Sequence, residues 1–333
     1  MSLPLPASRR ALLSAGRTRH SIDGALRNGS VVAPFRGIHV DPCLTADLAV
    51  RARAALLTQG PRAVVAGPTA AALLGLRWLP TGWTDPGAAV HVAVPPADAH
   101  RHRPGLRLRR RTLHTDEIVA VADMPCTGPA RTIVELARDS SIAPTLVVQI
   151  IDGALRDGRV RLGELLACLD RMPGQRGVAR ARELVGLARE GVDSPPETSM
   201  RLALWFDGIR EMDIGIEIRD DVGVVLARGD LGVRRLLIWA EYDGYDVHTR
   251  RPTFRGDRVG DRWLQRRGWH VMRFVDDDLR RPAQLCAEWR RAVADAPRRV
   301  GALPPGLSPE ADDALRLLDR RVGDHGVCPR RTP

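Results

Sequence analysis

Five consecutive apolar residues, Leu236-Leu237-Ile238-Trp239-Ala240, lead directly into the acidic stretch Glu241-Tyr242-Asp243-Gly244. An apolar run of this kind indicates a central strand that is buried on both faces of its sheet. Asp230 stands just before it, at the end of another strand-like segment. A carboxylate at the end of a buried strand is costly unless it is paired or binds a metal. The run therefore predicts an α/β domain in which Asp230 and Glu241 have such a partner.

The hydrophobic pattern around this run predicts an ordered set of elements. In order they are a helix, three strands, a helix, a strand and a helix, at residues 195–209, 212–219, 222–230, 235–242, 254–267, 269–274 and 281–295. The order αβββαβα is the core of restriction-endonuclease-like folds. The linker Glu190-Gly191-Val192-Asp193-Ser194-Pro195-Pro196 separates these elements from the preceding region.

Short motifs follow one another in this region in a fixed order. They are Gly229-Asp230, Glu241-Tyr242-Asp243-Gly244, His248, Asp257-Arg258, Asp261-Arg262 and Gly268-Trp269-His270-Val271-Met272-Arg273-Phe274. As a set they resemble the Vsr-like (very-short-patch-repair) endonuclease family over residues 193–298. The resemblance implies a metal-dependent DNA endonuclease, with Asp230, Glu241, Asp243 and His248 as candidate catalytic residues.

The candidate cofactor is Mg²⁺, held by Asp230 and Glu241. Hydrolysis of a phosphodiester needs a hard divalent cation, and Mg²⁺ prefers carboxylate oxygens and bound water. Two adjacent antiparallel strands bring these two acids together only if their register places residue 230 near residue 241. In the broad nuclease superfamily a lysine usually lies two residues after the second acid. Here Asp243 occupies that position, as in many Vsr-like sequences, so the usual water-orienting ammonium is missing.

Each of these residues also has a purely structural interpretation. Asp230 can start a turn, and Glu241 can pair with an arginine. Glu197 is either a further metal ligand or part of a capping box with Ser194, and the sequence Ser194-Pro195-Pro196-Glu197 favours the cap. His248 is either a base near the metal or a solvated loop residue.

Four arginines repeat along one face of the helix predicted at residues 254–267. Arg255, Arg258, Arg262 and Arg266 have offsets of 3, 7 and 11 from the first. Such a stripe can bind backbone phosphates beside the metal, or it can be a solvated face.

The N-terminal pattern predicts two short helices followed by a strand pair. Ser8 and Thr18 are candidate helix caps, and Asn28-Gly29 is a candidate stop signal. Ile22, Ala25 and Leu26 form the buried stripe of the second helix, which leaves Arg19, His20 and Arg27 for DNA. The segment 30–40 alternates with Gly37 near a bend, which completes a winged helix-turn-helix. A helical hairpin packed on the next domain is the alternative.

Two segments of the middle region resemble the AbiEi-type antitoxin family. The first is Ala66-Gly67-Pro68-Thr69-Ala70-Ala71-Ala72-Leu73-Leu74-Gly75-Leu76 with Val90-His91-Val92-Ala93-Val94-Pro95, and the second is Pro125-Cys126-Thr127-Gly128-Pro129-Ala130-Arg131-Thr132-Ile133-Val134-Glu135-Leu136-Ala137. The resemblance covers residues 5–190 and implies a DNA-binding regulator of a toxin operon, with a cognate toxin as a possible partner. Between these segments, residues 106–109 alternate leucine with arginine, and Arg110 and Arg111 follow. Such a strand either lies along phosphates or is a charged edge strand.

Composition narrows the class of protein. The net charge is +11, and every one of the 51 basic residues is arginine. This charge suits nucleic acid, although a GC-rich coding bias also raises arginine content. The five cysteines are scattered and form no CxxC pair, which favours a reduced, cytoplasmic setting. No apolar run reaches the roughly 20 residues of a membrane span.

Together these patterns predict an α/β multi-domain protein. The predicted domains are a winged helix-turn-helix at 1–42, an AbiEi-like α/β region at 43–190, a restriction-endonuclease-like αβββαβα domain at 193–298 and a tail at 299–333. The predicted function is DNA binding with metal-dependent cleavage. The alternative is a non-enzymatic regulator of antitoxin type that uses a nuclease-derived fold for binding only.

Overall fold

The computed structural model describes residues 6–98, 103–219, 223–244 and 261–301. The chain divides into two units, residues 1–188 and residues 189–333. Both combine helices with β-sheet, so the predicted mixed α/β, multi-domain class is confirmed. Residues 302–333 of the predicted tail lie outside the described residues.

The first unit begins with two helices inserted between strands of a small sheet. Its elements are β1 (Ala7–Ser8), α1 (Arg9–Ser14), α2 (Arg19–Arg27), β2 (Val32–Phe35) and β3 (Ile38–Val40). The Ser8 hydroxyl accepts a hydrogen bond from the amide of Ala11, and Thr18 does the same for Ser21, both at 3.1 Å. These caps fix where both helices begin, as the sequence predicts. The three strands are antiparallel in the order β1-β3-β2.

The rest of the first unit is a five-stranded sheet with six helices. The helices are α3 (Leu48–Gln59), α4 (Gly67–Leu73), α5 (Pro129–Arg138), α6 (Pro144–Arg156), α7 (Leu162–Asp170) and α8 (Val178–Leu187). The strands are β4 (Val64–Val65), β5 (Val90–Val94), β6 (Leu106–Arg110), β7 (Ile118–Val121) and β8 (Met124–Thr127), in the order β6-β5-β4-β8-β7. The arginine-rich strand β6 is thus an edge strand, one of the two interpretations of its sequence.

The small N-terminal sheet shares its hydrophobic core with this larger sheet. Phe35, Ile38 and Val40 belong to the same buried cluster as Ala52 of α3 and Val92 of β5. The hairpin of residues 6–40 therefore packs on the body of the first unit.

The second unit is one mixed sheet with helices before and after it. Its elements are α9 (Pro195–Phe206), β9 (Asp213–Arg219), β10 (Val225–Val233), β11 (Ile238–Tyr242), helical residues 261–266 (α10), β12 (His270–Phe274), α11 (Asp276–Leu279) and α12 (Pro282–Gly301). The strand order is β12-β11-β10-β9; β11 pairs with β12 in parallel and the other pairs are antiparallel.

Three predicted boundaries in this unit are wrong. The second strand extends to Val233, so Asp230 lies inside β10 and not at its end. The third strand begins at Ile238, because residues 234–236 form a 3-10 turn and Leu237 has a φ of 49°. The last helix extends to Gly301 and includes Pro297. The apolar core of the sheet is otherwise as expected, with Ile238, Trp239 and Ala240 all fully buried.

None of the helices in the described part of the chain is both long enough and apolar enough to traverse a lipid bilayer.

Candidate functional site

The first candidate site is a basic surface on α2 and the turn that follows it. Ile22 is buried with Leu12 and Ala7. The opposite side of α2 exposes Arg19, His20 and Arg27, as predicted. Arg36 is also exposed at the β2–β3 turn, where Gly37 adopts a φ of 81° that favours glycine. We call Arg19, His20, Arg27 and Arg36 the helix–hairpin surface.

An ion pair links the two helices beside this surface. Arg9 of α1 lies 2.7 Å from the carboxylate of Asp23 on α2. The hydrogen bond from Arg9 lowers the pKa of Asp23, so this carboxylate stays charged at neutral pH. Asp23 is thus paired with Arg9, and the cationic residues of the helix–hairpin surface are left to face solvent.

The second candidate site is an acidic one at the end of β11 and on the neighbouring part of β10. Leu231 pairs with Ala240 in the antiparallel register, so Asp230 and Glu241 are the next residues on the two strands. The Asp230 carboxylate accepts a hydrogen bond of 2.6 Å from the amide of Tyr242. The register therefore brings the two predicted metal ligands to one place, which sequence alone left open. We call Asp230, Glu241 and Asp243 the acidic site.

The acidic site disfavours negative charge at its centre. Burial, followed by the nearby charge of Glu197, raises the pKa of Asp230 to about 7. Burial also raises the pKa of Glu241, against hydrogen bonding from Trp239 and the charge of Arg273. A carboxyl with a pKa near 7 is half protonated at neutral pH. Such a pKa is characteristic of sites that bind a cation or exchange a proton.

Arg273 organises the remaining acids, and sequence analysis did not assign it a role. Its guanidinium lies 2.7 Å from Glu241, 3.0 Å from Asp243 and 2.7 Å from Asp261. The hydrogen bond with Asp261 is the main cause that raises the pKa of Arg273. The other Glu241 oxygen accepts a 2.6 Å hydrogen bond from the indole of Trp239. Glu241 thus has the arginine partner that was the structural alternative to a metal.

The partners of these carboxylates decide whether the acidic site is ready to bind Mg²⁺. Within residues 6–98, 103–219, 223–244 and 261–301, no three His, Cys, Asp or Glu side chains come close enough to hold a metal ion together. Asp243 faces Arg273, and both Glu241 oxygens already have partners, one a hydrogen bond from Trp239 and the other an ion pair with Arg273. The described residues thus form an arginine-centred cluster. These residues do not form a ready magnesium-binding site. The binding of Mg²⁺ by Asp230 and Glu241 therefore remains a prediction.

Glu197 completes a capping box at the start of α9. Its carboxylate accepts hydrogen bonds from the Ser194 hydroxyl at 2.7 Å and the Asp193 amide at 2.8 Å. The cap is the role that the sequence favoured, and it holds a buried acid beside Asp230. Burial raises the pKa of Glu197 as well.

Part of the predicted site falls outside the described residues. His248, Arg255 and Arg258 lie there. Arg262 and Arg266, the other two members of the predicted arginine stripe, are exposed on α10. Their neighbour Arg267 lies over the ring of Trp263, 3.7 Å from its centre.

A buried ion network occupies the other unit, beside the start of α5. Arg131 donates to Glu117 at 2.9 Å and to Glu135 at 2.8 Å, and all three side chains are less than 10% exposed. Arg131 and Glu135 are four residues apart on α5, and Glu117 joins them from the turn at residues 115–117. Glu135 also contacts Arg111 and Arg138.

Comparison with known proteins assigns part of the chain. Residues 63–187 match the AbiEi antitoxin C-terminal domain. This AbiEi-type region includes the five-stranded sheet and the helices α4 to α8. The part of the predicted resemblance that falls within it is confirmed. The match ends before the acidic site, and the Vsr-like resemblance of residues 193–298 stays a prediction.

Similar proteins occur in Mycobacterium tuberculosis. The proteins named MT2308, from strain CDC 1551 / Oshkosh, and Rv2248, from strain H37Rv, are both called uncharacterized. Each is 29% identical to this chain over 287 residues, which cover 85% of this chain and 100% of the relative. The crystal structure of the RV2827C protein from the same organism aligns with 65% of this chain and 84% of its own, at 17% identity and a TM-score of 0.41.

Proposed function

We propose that this protein is a DNA-binding regulator of antitoxin type. The observation that carries the proposal is the helix–hairpin surface. Two helices lie between β1 and β2, the sheet order is β1-β3-β2, and a hairpin with an exposed arginine follows the second helix. This is the order of elements in a winged helix-turn-helix. There α2 would enter the major groove and the hairpin would reach the neighbouring backbone.

Two further findings support the same proposal. The net charge of +11 suits a polyanionic partner. The AbiEi-type region at 63–187 associates the chain with antitoxins, so a cognate toxin is the protein partner that we propose. The ion pairs of Arg273 with Glu241 and Asp243 are compatible with a protein that binds DNA without cleaving it.

The first prediction concerns the strength and salt dependence of DNA binding. Removing Arg19 and Arg27 together should weaken binding to DNA from upstream of the protein's own coding region by about tenfold or more. The slope of log affinity against log salt should fall by about two, since each lost phosphate contact changes it by about one. Fluorescence anisotropy between about 50 and 200 mM salt measures both quantities.

The matched control for this experiment is Arg159→Ala with Arg281→Ala. Both positions are exposed, and the double variant removes the same charge from elsewhere in the chain. It should bind DNA nearly as the wild type does. A flat salt response of the wild type, or equal losses in the two double variants, would contradict DNA recognition through the helix–hairpin surface.

A second candidate function is metal-dependent DNA cleavage in the second unit. The specific observation that favours it is Asp230, a mostly buried acid placed beside Glu197 and Glu241 with a pKa raised to about 7. A divalent cation, when bound, would polarise a phosphate and activate water. Asp230 and Glu241 would hold it, and Arg273 would have to release one Glu241 oxygen. We propose this activity as the alternative to a purely regulatory protein.

The second prediction separates the two functions. If the acidic site binds a cation, millimolar Mg²⁺ or Mn²⁺ should raise the melting temperature of the full chain by mass action. Asp230→Asn and Glu241→Gln should each abolish that shift and any nicking of supercoiled plasmid, while DNA affinity is retained. Asp277→Asn, at an exposed position in the same unit, is the control. An unchanged wild-type melting curve and intact plasmid would rule out the enzyme and leave the regulator.

A further inference from the structure

The AbiEi-type region contains a cavity of about 370 Å³ between the sheet and α5. Four arginines line it, two from β6 and its extension, one from the last turn of α5 and one from the turn before α8. They are Arg109, Arg111, Arg138 and Arg176. Small-molecule sites usually have volumes of about 300–1,000 Å³, so the cavity is large enough for a ligand.

The cavity carries an excess of positive charge. The four arginines are opposed by only two carboxylates in the lining, those of Glu135 and Asp139. Arg109 lies 2.6 Å from Asp139, and Arg111 lies 2.6 Å from Glu135. Arg138 also contacts Glu135, so this one carboxylate is shared by several arginines. The lining therefore has two positive charges more than it can neutralise.

Two of these arginines are not fully neutralised by the carboxylates of the lining. Arg138 shares the Glu135 carboxylate with Arg111 and Arg131, and burial lowers the pKa of its guanidinium. In the part of the chain that the structure describes, the guanidinium of Arg176 has neither an ion pair nor a hydrogen bond. Arginine binds phosphate oxygens in a bidentate, charge-assisted way.

His91 lies on the wall of the same cavity and is neutral. Burial, together with the charges of Arg109 and Arg107, lowers its pKa to about 4. A neutral imidazole provides one N–H donor and one acceptor without adding charge. This suits a position beside an oxygen that the arginines already neutralise.

A second cavity of about 630 Å³ adjoins the first. The two share Pro68, His91, Arg109 and Asp139 in their linings. The second cavity adds Trp83 and Arg107, and the Trp83 side chain is partly exposed. An indole next to a cationic cavity is a suitable partner for a base, because bases stack on aromatic rings.

We propose that these two adjoining cavities bind a nucleoside phosphate. The phosphate group lies among Arg109, Arg111, Arg138 and Arg176, and the base lies beside Trp83. This site is separate from the helix–hairpin surface and from the acidic site, and it does not depend on the function proposed for either. It makes the AbiEi-type region a receptor for a small ligand.

Isothermal titration calorimetry of the full chain with ATP and with inorganic pyrophosphate, in metal-free buffer, tests the proposal. The wild type should bind both probes saturably, and ATP more tightly. Arg109→Ala with Arg176→Ala should weaken both by tenfold or more, because both positions supply phosphate ligands. Trp83→Ala should weaken ATP by about tenfold and leave pyrophosphate unchanged, since it removes only the stacking surface.

Arg171→Ala is the matched control. Arg171 forms a comparable exposed ion pair with Asp116 but does not line either cavity, so this variant should bind both probes as the wild type does. Circular dichroism confirms that each variant is folded. The DNA affinity of the Arg109 and Arg176 double variant is measured in parallel and should be unchanged.

Three results would overturn the proposal. The first is no saturable binding of ATP by the wild type. The second is equal affinity for ATP and pyrophosphate with no effect of Trp83→Ala, which would leave only a phosphate site. The third is a loss of DNA binding in the double variant as large as its loss of ATP binding, which would assign these arginines to the DNA backbone. Failure of DNA binding by the wild type alone would count against the proposed function and leave the nucleotide site standing.

Discussion

Replacing Arg131 with alanine is expected to lower the free energy of unfolding by about 3–5 kcal/mol. The substitution leaves Glu117 and Glu135 with their charges buried, and removing one partner of a buried pair costs far more than the pair itself contributes. Arg131 is only 4% exposed, so water cannot replace it without a change in the fold. Urea unfolding of the full chain, with hydrogen exchange to identify the unit that opens, measures the loss.

Two variants check the cause of this loss. Adding Glu117→Gln to Arg131→Ala should restore part of the stability, because a neutral amide is cheaper to bury than an unpaired carboxylate. Arg161→Ala breaks the exposed pair of Arg161 with Glu164 and should cost at most about 1 kcal/mol. A loss below about 1 kcal/mol for Arg131→Ala would mean that the network stabilises little beyond a surface pair.

Asp230→Asn is expected to stabilise the metal-free protein, and increasingly so as pH rises. The pKa of Asp230 is raised from 3.8 to about 7 by burial first and then by the charge of Glu197. Between these two values the unfolded chain has lost the proton and the folded chain has kept it. Stability of the wild type therefore falls as pH rises from about 4 to about 7 and is then constant. Asparagine does not ionise and still accepts the hydrogen bond from Tyr242.

The difference between variant and wild type should be small near pH 4 and reach at most about 4 kcal/mol near pH 8. Urea unfolding at both pH values measures it, and Asp277→Asn should stay within about 0.5 kcal/mol of the wild type at each. A difference that does not grow with pH would show that Asp230 is ionised in the folded protein without penalty.

Helices in this chain could be predicted well because their signals are local. Ser8, Thr18 and Ser194 each cap the helix that the sequence assigns to them. Three strands of the five-stranded sheet were not predicted, because they are too short to show a local pattern of their own. Strands β4, β7 and β8 have two to four residues, too few for alternation to be visible.

The residues of a candidate site could be predicted only where they come from elements that follow one another in the sequence. Asp230 and Glu241 come from consecutive strands, and a single register decides whether they meet. Arg273 reaches Glu241 through the parallel pairing of β11 with β12, which depends on a crossover that local sequence does not determine. The arginines that line the cavity come from β6, from α5 and from the turn before α8. No short motif contains its residues together, so sequence analysis missed it.

The shared core of the N-terminal sheet and the body of the first unit has a consequence for protein engineering. Because Phe35, Ile38 and Val40 are buried against α3 and β5, residues 6–40 cannot be moved to another protein as an independent unit. Residues 6–40 grafted onto another scaffold would carry three exposed apolar side chains and would lose the support that orients α2. A change of DNA target is better made by exchanging the solvent-facing side chains of α2 in place, since those positions contribute nothing to the common core.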